Sequence, residues 1–381
     1  MKNGRRYLSM KFLPLALVWT LVCPTFSTAV EFVIVGPRAV GMGGAGVAVT
    51  TDSLATYWNP AGLALTQTVD IRFQASAQGI DRLDIRETLE DIDDINDNDI
   101  SAGNQARLQS LLNDLNGSSL SALAAAGLYF KGHYGDHAFG LNISDVGTGG
   151  SFTSTPLTAV VSGSQLDVNG ELQLNFLEAR QLAASYAYAL FDKMVSFGIT
   201  GKVIQGVAYS RGVDVQDTED SFDISDELKN SKKTTRFGID LGALIHPVSW
   251  FQVGIVGKDL NKPSFKSPGG GKFKLRPQVR GGVAFIPFSS TIITFDADLT
   301  KNKTLVSGLR SRVLSVGVEQ GIFEMIYLRG GALKNVEDAK SRVTPTAGLG
   351  LRLAAFQFDV GGGYDFDDRG ALGSFSLALT F

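Results

Sequence analysis

The stretch Arg236-Phe237-Gly238-Ile239-Asp240-Leu241-Gly242-Ala243 puts Phe237, Ile239, Leu241 and Ala243 at every second position. Successive side chains of a strand point to opposite faces, so this segment reads as a strand with one apolar and one polar face. The same period recurs in Val195, Phe197 and Ile199 against Ser196, Gly198 and Thr200. Phe273, Leu275, Val279 and Val283 oppose Lys274, Arg276, Gln278 and Arg280, and Ile293, Phe295, Ala297 and Leu299 oppose Thr294, Asp296 and Asp298. The chain closes on Phe375, Leu377, Leu379 and Phe381 opposite Ser374, Ser376, Ala378 and Thr380.

From residue 68 onward the pattern predicts about fourteen strands. They fall near 68–77, 123–132, 137–145, 171–190, 194–208, 234–245, 250–258, 273–285, 291–299, 311–318, 323–332, 343–353, 355–365 and 372–381. Short joins at Tyr134-Gly135-Asp136, Phe191-Asp192-Lys193, His246-Pro247-Val248, Pro287-Phe288-Ser289, Glu319-Gln320-Gly321 and Ala354 alternate with long polar segments. The long ones are 78–122, 146–170, 209–233, 259–272, 300–310, 333–342 and 366–371. Sorting of loops by parity is the habit of membrane barrels, with tight turns at one end and long loops at the other.

Period two alone does not say which face meets lipid. Charges on the polar face (Lys202, Arg236, Asp240, Arg280, Asp296, Asp298) and strands reaching the roughly 9–11 residues of a tilted span favour an outward apolar face. The expected fold is therefore all-β, a transmembrane antiparallel up-and-down β-barrel with a polar lumen. Closure follows because unpaired edge groups in hydrocarbon each cost several kcal/mol. About fourteen strands give a lumen too wide for side chains alone to fill, and the small, apolar residues 30–67 are placed to plug it.

Lys2, Arg5, Arg6 and Lys11, the apolar run Phe12–Cys23 and the small residues Ser27-Thr28-Ala29 make a secretory signal with cleavage after Ala29. A transmembrane anchor would need about 20 residues, and Val22 is bulky for a lipoprotein site at Cys23. The domains expected are a signal peptide (1–29), a plug (30–67) and an outer-membrane barrel (68–381) whose first external loop, 78–122, is partly helical. Cys23 is the only cysteine, so the mature chain holds no thiol for catalysis or metal binding. Forty-four glycines and 24 phenylalanines suit a strand- and turn-rich chain, and a net charge of -3 without a basic block does not suggest nucleic acid.

Gly41-Met42-Gly43-Gly44-Ala45-Gly46 has the spacing of a dinucleotide fingerprint, but no helical stripe or βαβ unit follows, so the glycines read as close backbone approach. The whole segment Pro37–Ala48, with Asp52 and Tyr57-Trp58-Asn59-Pro60-Ala61-Gly62-Leu63-Ala64, resembles the N-terminal signature of the FadL-type outer-membrane transporters of hydrophobic compounds. Two branches of that superfamily share the opening, the conjugal-transfer TraF-like proteins and the PorV-like secretion accessories. Glu178–Gly206 resembles the TraF-like branch. The resemblance implies a plug carrying Arg38, Gly41, Gly43, Gly44, Gly46, Asn59, Pro60 and Ala61. In it Arg38 would be buried against lumen carboxylates, with Asn59-Pro60-Ala61 beside a gap in the wall. The terminal strand ending in Phe381 would engage the barrel-assembly machinery. The motif serves either plug packing or transport itself.

Three further candidates come from the residues. Pro277, inside an expected strand, should mark a bulge or wall irregularity. Leu108, Leu111, Leu112 and Leu115 recur at helical spacing and either pack on the rim or form an external ligand-capture helix. The acidic run Asp91–Asp99 lacks the glycine of a calcium loop and reads first as a solvated face. His133, His137 and His246 suggest no metal set, and neither a Gly-x-Ser-x-Gly elbow nor a cofactor motif nominates an enzyme. Two functions remain: passive uptake of hydrophobic small molecules (long-chain fatty acids or hydrocarbons), or a non-conducting accessory of a secretion or conjugal-transfer system. An apolar pocket near the leucine helix would favour the first, and a sealed, salt-bridged lumen the second.

Overall fold

The computed structural model describes residues 29–30, 32–82, 85–214, 233–267, 272–339, 341–366 and 370–381. All of the expected signal peptide but Ala29, and the tips of the loops expected at 209–233, 259–272 and 366–371, lie outside them. Fourteen antiparallel strands close into one barrel. In chain order they are β1 Asp70–Arg82, β2 Ser119–Tyr134, β3 His137–Ser162, β4 Gln165–Leu190, β5 Val195–Asp214, β6 Thr234–Val248 and β7 Phe251–Lys258. The second half comprises β8 Gln278–Phe288, β9 Thr291–Asp298, β10 Val313–Ile322, β11 Ile326–Asn335, β12 Thr344–Leu353, β13 Phe356–Asp365 and β14 Gly370–Thr380. Closure joins β14 to β1 from Thr380 opposite Asp70 to Ala371 opposite Gly79, and Val69 and Phe381 exchange backbone bonds of 2.7 and 3.0 Å. Phe381 is thus the last rung of the seam.

The alternation decides which way each strand faces. Leu141, Ile143, Leu182, Phe197, Leu241 and Leu377 are exposed on the outer wall, whereas Arg72, Lys131, Lys202, Asp240, Arg280 and Asp296 are buried inside it. A soluble barrel would reverse this, so the outer face is built for lipid. Exposed Tyr134, Phe191, Trp250, Phe288, Phe323, Phe356 and Phe381 gather at the short-turn end, where a bilayer's polar boundary takes aromatic rings. Three of those turns hold non-glycine residues at positive φ: Phe191, Asp192 and Lys193 (53, 53 and 66°), Phe323 and Glu324 (54 and 58°), and Ala354 (52°).

The wall is not of even height. β3 and β4 run 26 residues each, meeting at Gly163 (φ 65°), while β7 and β9 have only 8, fewer than expected. Residues 146–170, expected as a loop, are the outer halves of β3 and β4. Above the membrane no side chain need face lipid, so the apolar alternation that marks a strand disappears while the ladder continues, with register shifts at Thr153/Thr155 and Thr155/Thr158. Helices α3 (Ile85–Asp93) and α4 (Ala102–Leu115) lie beside this extension. Asn116 ends α4 and pairs with Leu157 of β3 like a strand residue, its amide donating at 2.9 Å and its carbonyl accepting at 2.7 Å.

Pro277 needs correcting. It lies in an irregular stretch before β8, which first pairs at Gln278 opposite Lys258 and runs without a shift to Phe285 opposite Phe251. Just outside a strand, a missing N–H removes no ladder bond. Phe273 pairs instead with Phe265 in a small hairpin (Ser264–Lys266 with Lys272–Lys274) folded into the mouth, and Leu275 packs inward on Phe265 and Ile204 rather than facing lipid. Two other prolines mark the bulges: Pro247 between Ile245 and Val248, and Pro287 between Phe285 and Phe288.

The left-handed turns carry a measurable strain. Ala354 is exposed, so Ala354→Gly removes only the steric cost of its Cβ. It is expected to raise stability by about 0.5–1 kcal/mol in urea titration of vesicle-reconstituted protein. An unchanged midpoint would show that this turn is unstrained.

Candidate functional site: the plugged lumen and its mouth

The chain from Phe32 to Thr68 descends through the lumen from the long-loop end to the start of β1. It comprises α1 (Pro37–Gly41), α2 (Ala55–Trp58) and a 3-10 turn, Pro60–Leu65, with nearly every side chain buried. Phe32, Tyr57 and Trp58 form an aromatic cluster with centroids 5.2–6.0 Å apart. Lys258 of the wall sits 3.1 Å over the Tyr57 ring and 4.5 Å over Phe32, a desolvated cation–π pairing. Trp58 Nε1 donates to Val35 O at 2.8 Å and Tyr57 OH to Val33 O at 2.7 Å, binding the opening segment to the plug's own body.

Plug and wall meet through charge. Arg38 forks onto Glu319 of β10, with Nη2 to Oε1 at 2.7 Å and Nε to Oε2 at 2.9 Å. Glu319 also accepts from Arg329 Nε at 2.6 Å, Arg329 reaches Asp359 at 2.7 Å, and Arg72 joins Asp359, Asp70 and Asp52 at 3.4, 3.2 and 3.3 Å. One network therefore runs from the plug across β10, β11 and β13 to β1 and back to the plug. Asp296 Oδ2 accepts the backbone N–H groups of Gly46 and Val47 at 2.8 and 2.9 Å, and Arg280 donates to Gly44 O at 2.9 Å. Asp70 accepts from both N and Oγ of Ser53, Gly43 N donates to Thr346, and Lys131 caps Thr51 O at 2.6 Å. Arg38 thus meets the lumen carboxylate Glu319 while its own side chain stays 21% exposed. Lys202 pairs with Asp240 and Asp259 at 2.8 and 2.7 Å, while Arg236 reaches outward to Ser264 O.

Contact is also backbone on backbone. A Cβ on Gly43 (φ 67°) would lie 2.3 Å from Ala332 O, and one on the facing Gly331 would lie 2.4 Å from Gly43 N. Gly198 of β5 leaves the same space for Pro60 and Ala61, where a Cβ would fall 2.4 Å from Ala61 N. Gly41 faces Gly348, Gly44 stands against Ile34, and Gly46 takes the face of Trp58. This absence of side chains lets a wide lumen close on a thin plug.

One expected placement fails. Asn59-Pro60-Ala61 abuts no gap: Asn59 Nδ2 donates to Ala243 O at 3.2 Å, and β5 and β6 pair without a shift from Val195–Ile245 to Gly206–Thr234. β2 and β3 are likewise unbroken from Tyr134–His137 to Ser119–Phe152. Asn59 ties the plug to this wall, its amide donating to a strand and a plug carbonyl together, at Ala243 O and Val47 O. Of its two readings, the leucine stripe takes the packed one and is not open to ligand. Leu108, Leu112 and Leu115 are buried against Ile95, Leu157 and Leu166, with Leu111 partly so. An apolar stripe in water is covered by the nearest apolar surface, here the β3–β4 extension. Among the described residues no three metal-ligating side chains converge, and Asp91, Asp94, Asp97 and Asp99 are exposed. A cavity of about 540 Å³ opens at the outer mouth beside the end of α4, lined by Arg82, Asn116, Phe152, Pro156, Val306 and Asp338 among others. It forms where five separate chain segments meet, which no local sequence pattern encodes.

The family described as "F plasmid transfer operon, TraF, protein" matches residues 56–299, more than half the chain. The chain belongs to that family. No curated protein sequence matches it. Among solved structures, the Pseudomonas aeruginosa FadL homologue superposes with a TM-score of 0.56 at 13% identity, covering 93% of this chain and 99% of that one. The Pseudomonas putida toluene transporter TodX gives 0.55 at 11% identity, covering 92% and 98%. The Ralstonia pickettii toluene transporter TbuX gives 0.54 at 14%, covering 91% and 97%. The family member thus has a FadL-type barrel.

If Asp296 anchors the plug, Asp296→Ala orphans two plug N–H groups and leaves Arg280 short of a partner. The expected loss is about 3–5 kcal/mol in urea unfolding of the reconstituted barrel. Gly331→Leu should push the plug off β11 and admit vancomycin, lowering its inhibitory concentration for expressing cells. An unchanged value would mean that the seal does not depend on this contact.

Proposed function

We propose that the protein is an outer-membrane barrel for passive uptake of hydrophobic small molecules. The supporting observation is the cavity of about 540 Å³ open to the outside above the plug, in the size range of small-molecule sites. Its lining mixes Phe152, Pro156, Val306 and Leu309 with Asn116, Ser119 and Ser307, so an apolar molecule is received without an unpaired charge. Two structural relatives, TodX and TbuX, are toluene transporters, which agrees with this class of cargo. The exported location, with the signal cleaved after Ala29 and Phe381 presented to the barrel-assembly machinery, belongs to the same proposal.

A second reading has its own support. The lumen is sealed and salt-bridged from Arg38 to Arg72, and the family is described by a plasmid transfer operon. On this reading the barrel is a non-conducting accessory of conjugal transfer. A deletion strain and its complemented parent separate the two. Under uptake, the parent accumulates labelled toluene or oleate faster and mates at the same frequency. Equal accumulation with reduced mating would replace the first reading by the second.

A further inference from the structure

The barrel's outer rim is low on one side, and the loops there carry one sign of charge. β7 and β9 run 8 residues each, against 26 in β3 and β4. Above the low side stand two small hairpins, Ser264–Lys266 with Lys272–Lys274 and Asn302–Lys303 with Arg310–Ser311. Leu305 of the second packs on the cluster that holds Phe265 and Leu275, so the two hairpins stand together. They and the turn before them expose Lys262, Lys266, Lys274, Lys303 and Arg310. Residues 260–278 and 299–312 contain neither Asp nor Glu. Among the described residues none of the five cations forms an ion pair.

Their height is that of lipid headgroups. Phe237 and Leu299, near the top of the lipid-facing wall on this side, are exposed. Asn261 is fastened to that wall, its Nδ2 donating to Phe237 O at 2.6 Å, and Leu260 covers Gly257, where a Cβ would lie 3.0 Å from it. Lys262 therefore follows directly on the apolar surface, and Lys303 lies on the loop that leaves Leu299. The exposed carboxylates are elsewhere. Asp91, Asp94, Asp97 and Asp99 ride beside the tall extension, where Asp97 O accepts from Leu166 N at 2.7 Å. Screened charges act over about 8 Å at physiological salt, so the field of a charged leaflet reaches the low rim and fades before the tall one.

Register adds a second observation. Lys303 stands directly opposite Arg310, and like charges so placed oppose the pairing. An anion between them turns the repulsion into charge-assisted hydrogen bonds. We infer that the low rim binds the phosphate groups of a phosphorylated glycolipid in the outer leaflet. The match is amphipathic: acyl chains lie against Phe237, Leu260 and Leu299 while the headgroup phosphates meet Lys262, Lys266, Lys303 and Arg310. A soluble polyanion such as a nucleic acid would meet the same cations. It would lack the apolar half of the contact, which holds the lipid phosphate at this height and raises its effective concentration there. The inference concerns the outer rim alone and holds whether or not the lumen conducts.

The test uses the full-length protein in detergent, stripped of copurifying lipid, with labelled bisphosphorylated lipid A as the probe. Combining Lys262→Gln, Lys266→Gln, Lys303→Gln and Arg310→Gln should weaken binding about thirtyfold at low salt, and less at high salt. Lys262→Arg, Lys266→Arg and Lys303→Arg together should stay within about threefold of wild type. So should Asp94→Asn with Asp97→Asn on the tall side, within about twofold. Barrel formation is checked by heat-modifiable gel mobility. If the fourfold variant fails it, Lys303→Gln with Arg310→Gln takes its place, with an expected loss of about fivefold. Equal binding of dephosphorylated lipid A by the wild type, or an unchanged affinity in the neutralised variant, overturns the inference. An oligonucleotide that displaces the probe as well as unlabelled lipid A does, phosphate for phosphate, also overturns it and gives the surface to soluble polyanions.

Discussion

The structure depends on buried charge finding partners. The inner wall carries Asp70, Arg72, Arg280, Asp296, Glu319, Arg329 and Asp359, all nearly inaccessible to water. An unpaired buried ion costs several kcal/mol, so such a lumen must either fill with water or be given counter-groups. Here the plug supplies them. Arg38 and Asp52 enter the network as charges, and Ser53, Gly46 and Val47 enter through backbone N–H groups that no helix of the plug satisfies. Each side solves the other's problem. A plug outside this barrel would carry orphan donors, and the barrel without its plug would hold opposed charges across a wide gap.

Steric complementarity then sets where the plug sits. Carboxylates acting at 2.7–2.9 Å demand that main chains approach closely, and side chains between them would prevent it. At Gly331 and Gly198 the wall is bare on its inner face, and the plug backbone occupies the vacated volume. The sheet does not suffer from these glycines, because the ladder is fixed by neighbours on both sides, unlike an isolated strand. The same two requirements explain why Asn59 faces a continuous wall. Its amide donates to a plug and a strand carbonyl together, at Val47 O and Ala243 O.

Much of this was legible in the residues. Period two, loop parity and a polar face bearing Asp240, Arg280 and Asp296 determine strand count, closure and the sign of the faces, because each follows from local geometry and the medium outside. The plug's first charge contact was legible through Arg38 and its surrounding motif. What escaped depends on distant partners. The outer halves of β3 and β4 carry no lipid-facing requirement, so they look like loop. Pro277 looks like a break in a strand until Gln278 is seen to start it. The outer cavity joins residues 82, 116–119, 152–156, 306–309 and 338–339, whose meeting only the closed barrel dictates.

Transport and a charge-sealed lumen conflict only if the whole plug must leave. The contacts of Arg38, Gly46, Val47 and Ser53 with wall carboxylates are each worth roughly 1.5–3 kcal/mol, so breaking all of them costs on the order of 10 kcal/mol. A state that costly is populated far below one part in ten thousand. Displacing Phe32–Val35 is a different matter. It releases neutral hydrogen bonds worth about 1 kcal/mol apiece and uncovers apolar side chains whose exposure would cost about 1.5–3 kcal/mol each. An apolar cargo entering that space covers the same surface again, so much of the second cost disappears when the ligand is present and remains when it is absent. The head of the plug, held by neutral hydrogen bonds, by Lys258 over Phe32 and by apolar packing, is therefore less costly to displace than the charge-pinned body.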